Sequence, residues 1–144
     1  MAGRLQAEVA ELQWDRIPLV TRWRLNRWRK RRRTGLLMFT ISRAPVRHSA
    51  SLYVRLNEVS ENGRVLAQSD TQWPFSRFRH LSPGRHGLDF VTADMKGREA
   101  RFRREVDLAL GEILVVGCRP SYSFRPFDKN PPPERWYLGV FGPL

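Results

Sequence analysis

Ser51-Leu52-Tyr53-Val54-Arg55-Leu56-Asn57-Glu58-Val59, the turn Asn62-Gly63 and the return run Arg64-Val65-Leu66-Ala67-Gln68-Ser69 decide the fold. Leu52, Val54 and Leu56 alternate with Tyr53, Arg55 and Asn57, the period-two pattern of a strand with one face in water. Asn62-Gly63 is the strongest hairpin signal in the chain, because a tight two-residue turn needs φ > 0 at both positions, which Asn and Gly tolerate. The same reading extends outward. Residues 35–42 contain Leu36-Leu37-Met38-Phe39 and residues 113–118 contain Ile113-Leu114-Val115-Val116, two runs that read as buried strands. In 72–81, Trp73, Phe75 and Phe78 follow a strand pattern, with Pro74 marking an edge or a strand start.

Ser82-Pro83-Gly84 is a tight turn into a strand over 87–93, and Lys96-Gly97 turns the chain again. Over 100–108, Phe102, Val106 and Leu108 share parity against Arg101, Arg103, Glu105 and Asp107, with Arg104 the exception. Gly111-Glu112 leads into 113–118, and 136–141 is a last short strand. Five of the ten prolines fall in 120–133, where Pro131-Pro132-Pro133 predicts an extended connector. Seven or eight short, mostly antiparallel strands, with turn signals about every 8–12 residues, predict an all-β fold. The expected architecture is a single β-sandwich over 35–144, preceded by a leader of 34 residues.

That leader reads differently. Leu5, Val9 and Leu12 fall at i, i+4 and i+7 among Ala2, Ala7 and Ala10, which predicts a short helix over 2–14. Residues 18–33 fit two patterns. As a helix, Val20, Trp23, Leu25 and Trp28 spread around the wheel without a clean stripe. As a strand, Leu19, Thr21, Trp23 and Leu25 alternate with Val20, Arg22, Arg24 and Asn26, a somewhat better fit. Both readings stay open.

Charge is the leader's dominant property. Arg22, Arg24, Arg27, Arg29, Lys30, Arg31, Arg32 and Arg33 place eight cations in twelve residues, together with Trp23 and Trp28 and no acid. Residues 1–34 hold ten Lys+Arg against three Asp+Glu, and 35–144 hold sixteen against eleven, so over half of the net +12 lies in the leader. Such a segment seeks an anionic surface. Arginine forks bind phosphates bidentately, and indoles stack on bases or sit at lipid headgroups. The plainer alternative is a solvated charge run whose tryptophans pack onto the β-domain. A second cationic set pairs Arg77 with Arg79 and Arg101 with Arg103 by parity, with Phe78 or Trp73 near enough to make a basic groove. Its alternative is an ordinary polar face partly neutralised by Glu99, Glu105 and Asp107.

Other chemistry is sparse. A lone cysteine, Cys118, excludes an intrachain disulfide framework and a cysteine-only zinc site, and its apolar setting predicts a buried, inert thiol compatible with a reducing, cytoplasmic compartment. Of the three histidines, His80 and His86 flank the Ser82-Pro83-Gly84 turn, but no Glu or Cys lies close enough in sequence to complete a metal site. There is no Gly-x-Ser-x-Gly elbow and no glycine-rich phosphate loop. No catalytic residue, metal or cofactor is expected. No apolar run approaches the ~18 residues of a membrane span, and Glu8, Glu11 and Asp15 interrupt any signal-peptide core, so a soluble or membrane-peripheral protein is expected.

Leu81-Ser82-Pro83-Gly84-Arg85-His86-Gly87-Leu88-Asp89-Phe90, followed by Val106-Asp107-Leu108-Ala109-Leu110-Gly111-Glu112-Ile113-Leu114-Val115, resembles the PEGA-type β-sandwich modules over about residues 51–118. The shared features are a Pro-Gly turn with a basic residue before a strand, an alternating strand, a glycine turn and a closing strand. The eponymous Pro-Glu-Gly-Ala is absent, and Asn62-Gly63 stands in the first hairpin in place of Asp-Gly. The resemblance implies a small non-catalytic module for cell-surface or assembly roles and carries over no site residue.

The sequence thus predicts a non-enzymatic interaction or assembly module. Its arm, with Arg22, Trp23, Arg24, Arg27, Trp28, Arg29, Lys30, Arg31, Arg32 and Arg33, would dock on an acidic protein surface or an anionic membrane. The competing class is a sequence-nonspecific nucleic-acid-binding protein, with Arg77, Arg79, Arg101 and Arg103 as a second phosphate grip. Exposed edge strands would permit homo-oligomers.

Overall fold

A strand that is apolar on both faces, such as Leu36-Leu37-Met38-Phe39, needs cover on both sides. The computed structural model, which describes residues 7–40, 56–69, 76–93, 99–119 and 134–144, shows what supplies it. In chain order the elements are β1 (Ala7–Glu11), α1 (Leu19–Lys30), β2 (Gly35–Thr40), β3 (Leu56–Glu61), β4 (Arg64–Ser69), β5 (Ser76–His80), β6 (Gly84–Ala93), β7 (Glu99–Leu108), β8 (Ile113–Arg119) and β9 (Glu134–Phe141). They form a five-stranded sheet ordered β1-β9-β8-β2-β5 and a four-stranded sheet ordered β4-β3-β6-β7. β1 runs parallel to β9 and β2 parallel to β8, while the other described pairings are antiparallel.

The two sheets share one core. Leu36, Met38, Leu114, Val116 and Trp136 from the first meet Val59, Leu66, Leu88, Phe90 and Leu108 from the second. Phe90 lies parallel to Phe102, with centroids 4.6 Å apart, and Trp136 stands nearly perpendicular to both rings, its centroid at 5.4 and 5.8 Å from theirs. Leu37, Phe39, Ile113 and Val115 point the other way and are covered by Leu12, Ile17 and Leu25. Helix α1 and the segment leading into it are therefore the second cover, and the apolar runs of β2 and β8 are explained by burial on both sides.

This overturns two expectations for the leader. The helix expected over 2–14 is not formed across its described part. Residues 7–11 are strand β1, in register from Ala7 opposite Glu134 to Glu11 opposite Leu138, and a single 3-10 turn, Trp14–Arg16, follows. A distant edge of sheet outcompetes the helical preference of a short segment. Residues 19–30 take the helical option, and the arm is not a separate leader. Its seam is narrow, with Thr21, Leu25 and Trp28 at i, i+4 and i+7; Thr21 and Leu25 are buried and Trp28 half-buried.

The described strands otherwise follow the expected runs, with β1 added. The Asn62-Gly63 turn has φ of 50° and 80°, as its residues require. Pairing shifts between Val59 opposite Ala67 and Ser60 opposite Val65, so Leu66 is a bulge residue, which lets consecutive Leu66 and Ala67 both be buried. Asn57 departs from expectation. The alternation of 52–57 assigns it to the solvent-facing set, but it shares parity with buried Val59 and lies in the interior, where its Oδ1 accepts a hydrogen bond of 2.8 Å from Thr92. Gly35 is required by close approach, since a Cβ there would press on the Arg79 carbonyl oxygen and stand 2.8 Å from Phe78 Cζ. Leu52, Val54, Trp73, Lys96-Gly97, His48 and Pro131-Pro132-Pro133 lie outside the described residues.

A candidate anion-binding face on helix α1

Helix α1 follows Pro18, whose missing N–H costs nothing at a helix start, and the Arg22 N–H closes the first turn onto the Pro18 carbonyl at 2.8 Å. Its end is a Schellman turn: the Arg33 N–H reaches the Trp28 carbonyl at 3.0 Å and the Arg32 N–H the Arg29 carbonyl at 3.1 Å. Arg32 takes the left-handed conformation usually left to glycine, with φ of 52°. Arg27, Arg29 and Lys30 occupy the last turn, where the helix dipole favours cations. No acid lies on the helix, so its cations repel one another along i, i+4 rows such as Arg27–Arg31. An incoming anion relieves that repulsion.

The cations expected to act together are divided by the fold. Arg24, Arg27 and Arg31 line a groove of about 420 Å³ between α1 and β5, joined by Arg77, Ser76 and the rings of Trp28 and Phe78. The two rings stack with centroids 4.5 Å apart and form one wall. Arg24 Nη1 donates to Ser76 Oγ at 3.1 Å, which holds that guanidinium at the rim. Among the described residues, four guanidinium groups and no carboxylate line this groove, an arrangement suited to phosphate or carboxylate oxygens.

The remaining arm residues do other things. Arg29 is structural: its Nε donates to the Gly142 carbonyl at 2.7 Å and its Nη1 to Asn26 Oδ1 at 3.2 Å, with its charge 5.4 Å from the Trp14 ring and 5.9 Å from Phe141. Arg22 is half-buried. Lys30, Arg32 and Arg33 are exposed beyond the groove. Trp23 is 66% exposed, with the Arg27 guanidinium 5.8 Å from its ring.

The second cationic set is not one face. Arg77 and Arg79 lie on β5 of the five-stranded sheet, whereas Arg101 and Arg103 lie on β7 of the other. Arg101 makes two bonds to Glu99, at 3.0 and 3.1 Å, Arg103 sits 3.5 Å from Asp89, and Arg85 pairs with Glu105. The Arg101 fork holds the Glu99 carboxyl below its usual range. This outer face is neutralised much as an ordinary polar face would be. Ser76 escaped the sequence reading, because nothing local distinguishes a serine that a helix far away in sequence will approach.

Cys118 is fully buried, its thiol pushed up to about 12 by loss of water, with Sγ 3.6 Å from the Phe39 carbonyl. The two turn histidines part company. His80 sets its ring nearly perpendicular to that of Phe78, with centroids 4.8 Å apart. His86 is buried, with Nε2 2.7 Å from the Ser82 carbonyl and Nδ1 2.7 Å from Glu61 Oε2. Two acceptors facing two ring nitrogens call for two protons, so the pair favours imidazolium. Burial opposes the charge, but the Ser82 bond and Glu61 outweigh it and raise the pKa. The resulting stabilisation is complete below the unfolded value of 6.5 and is lost as pH rises through the raised folded value. Thermal melts should therefore show stability falling on the alkaline side of pH 6.5, with a flatter profile in Glu61→Gln, where an amide can satisfy a neutral ring. Identical profiles would mean that the ring is neutral throughout.

Among the described residues no three His, Cys, Asp or Glu side chains gather where a metal could sit, and no helix is long and apolar enough to cross a membrane. The chain matches no family model, no curated protein and no solved structure.

Proposed function

We propose that this protein is a non-enzymatic interaction module, a β-sandwich that carries a cationic helix on its outer face and docks through it on a polyanionic surface. The observation that carries this reading is the convergence of Arg24, Arg27, Arg31 and Arg77 on one groove, with no carboxylate among its described lining residues. Packing of α1 on the sheet supports it, because guanidinium groups held by a rigid scaffold lose less freedom on binding than those on a loose tail. The likeness to PEGA-type modules belongs to this proposal, as does a cytoplasmic, membrane-peripheral setting, in keeping with the single buried thiol.

Nucleic acid is the competing partner, and the aromatic wall of the groove is what favours it. Trp28 and Phe78 are stacked on each other, however, so one face of each ring is already taken. The test is a triple variant, Arg24→Gln with Arg27→Gln and Arg31→Gln, titrated with heparin, an oligonucleotide and anionic vesicles at several salt concentrations. Wild-type binding should weaken steeply with salt, and the variant should lose at least about tenfold in affinity, since each lost cation is worth about 1 kcal/mol at an anionic surface. Its melting temperature should barely move, because all three side chains are exposed. Unchanged affinity for all three polyanions would overturn the proposal.

A further inference from the structure

Leu19, Val20 and Trp23 are 74%, 64% and 66% exposed, a concentration of apolar surface at the start of the most cationic element in the chain. At 3.6 residues per turn, Leu19, Lys30, Trp23, Arg27, Val20 and Arg31 fall within an arc of about 120°. That arc lies opposite the Thr21, Leu25 and Trp28 seam that faces the sheet. The outward face of α1 is thus apolar in its first turns and cationic in its last. We infer that its partner is an anionic lipid leaflet, on which α1 lies flat. Leu19, Val20 and Trp23 enter the headgroup boundary, and Arg27, Lys30 and Arg31 sit among the lipid phosphates. This rests on the polyanion-docking reading above and names the surface.

Three arguments favour lipid over the other polyanions. A nucleic-acid backbone offers no apolar surface to cover Leu19 and Val20. The core of a protein interface is depleted of charge, whereas half the positions of this arc are Lys or Arg. A bilayer boundary takes both, because indole rings prefer the headgroup level and long cationic side chains reach phosphates while their methylene stems stay in apolar surroundings. The groove opens along the flank of this arc, so its guanidinium groups would meet headgroups of the same leaflet.

The full-length chain should be tested by co-sedimentation with phosphatidylcholine vesicles with and without phosphatidylserine, and against heparin as a soluble polyanion. Wild type should bind the phosphatidylserine vesicles and not the neutral ones. Leu19→Ser with Val20→Ser should lose about tenfold or more of vesicle affinity through the lost apolar transfer while binding heparin as before. A variant that binds vesicles as wild type does would overturn the inference, as would a wild type that binds heparin but no vesicle. In both cases the polyanion-docking reading would stand. Binding to neither probe would remove both readings. As a check independent of that variant, brominated lipid should quench wild-type fluorescence more than that of Trp23→Phe, and equal quenching would place Trp23 outside the bilayer and overturn the insertion.

Discussion

Replacing Leu25 by alanine is expected to cost about 2–5 kcal/mol of folding free energy. Leu25 has no solvent exposure and packs with Leu37, Phe39, Ile113 and Val115, which belong to two neighbouring strands each hydrogen-bonded on both sides. Those strands cannot move in to fill the hole, so the cavity persists and adds to the lost transfer energy. Against a total stability of about 5–15 kcal/mol for such a domain, the loss is large. Urea unfolding should show a lower midpoint at an unchanged slope if the helix and sheets melt as one. A midpoint equal to wild type would mean that α1 is a detachable arm, and the fixed geometry of the groove would go with it.

Trp136→Ala should cost as much or more, about 3–5 kcal/mol. Trp136 is 1% exposed in the core shared by the two sheets, with its ring nearly perpendicular to Phe90 and Phe102 across the gap. Removing it takes away the largest fully buried side chain in the described structure and two ring contacts, each worth about 0.5–1.5 kcal/mol beyond burial. Loss of near-ultraviolet dichroism with retained far-ultraviolet signal would show that the sheets persist while their shared packing fails. A small loss of stability would mean that the two sheets do not depend on a common core.

Much of the strand pattern was legible because the information is local. Asn62-Gly63 permits one kind of turn, and an apolar run such as Ile113-Leu114-Val115-Val116 has few places to go but between two layers. β1 was misread because Leu5, Val9 and Leu12 do repeat at helical spacing, while the partner that makes 7–11 a strand lies at the far end of the chain. α1 was ambiguous for a physical reason: Leu19, Val20 and Trp23 point outward, and their apolarity hides the narrow Thr21, Leu25 and Trp28 seam. Asn57 was misplaced because the alternation of Leu52, Val54 and Leu56 assigns it to the outward set, whereas Val59, of the same parity as Asn57, is buried. For the site, the cationic density of 22–33 was plain, but composition says nothing about which charges converge. Arg29 is drawn off to the Gly142 carbonyl, and Arg77 is brought in from another part of the chain.

Among the described residues, strand β1 pairs only with β9, Ala7 lying opposite Glu134. A growing polypeptide therefore carries β1 without its partner until β9 has been made, and closing so long a loop is entropically costly and slow. The sheet beneath α1 is incomplete over that interval, and so is the Gly142 carbonyl clamp that steadies Arg29. Nascent chains that lack β9 would carry the cations without their ordered display, and competence to dock would arrive only once β9 has joined the sheet.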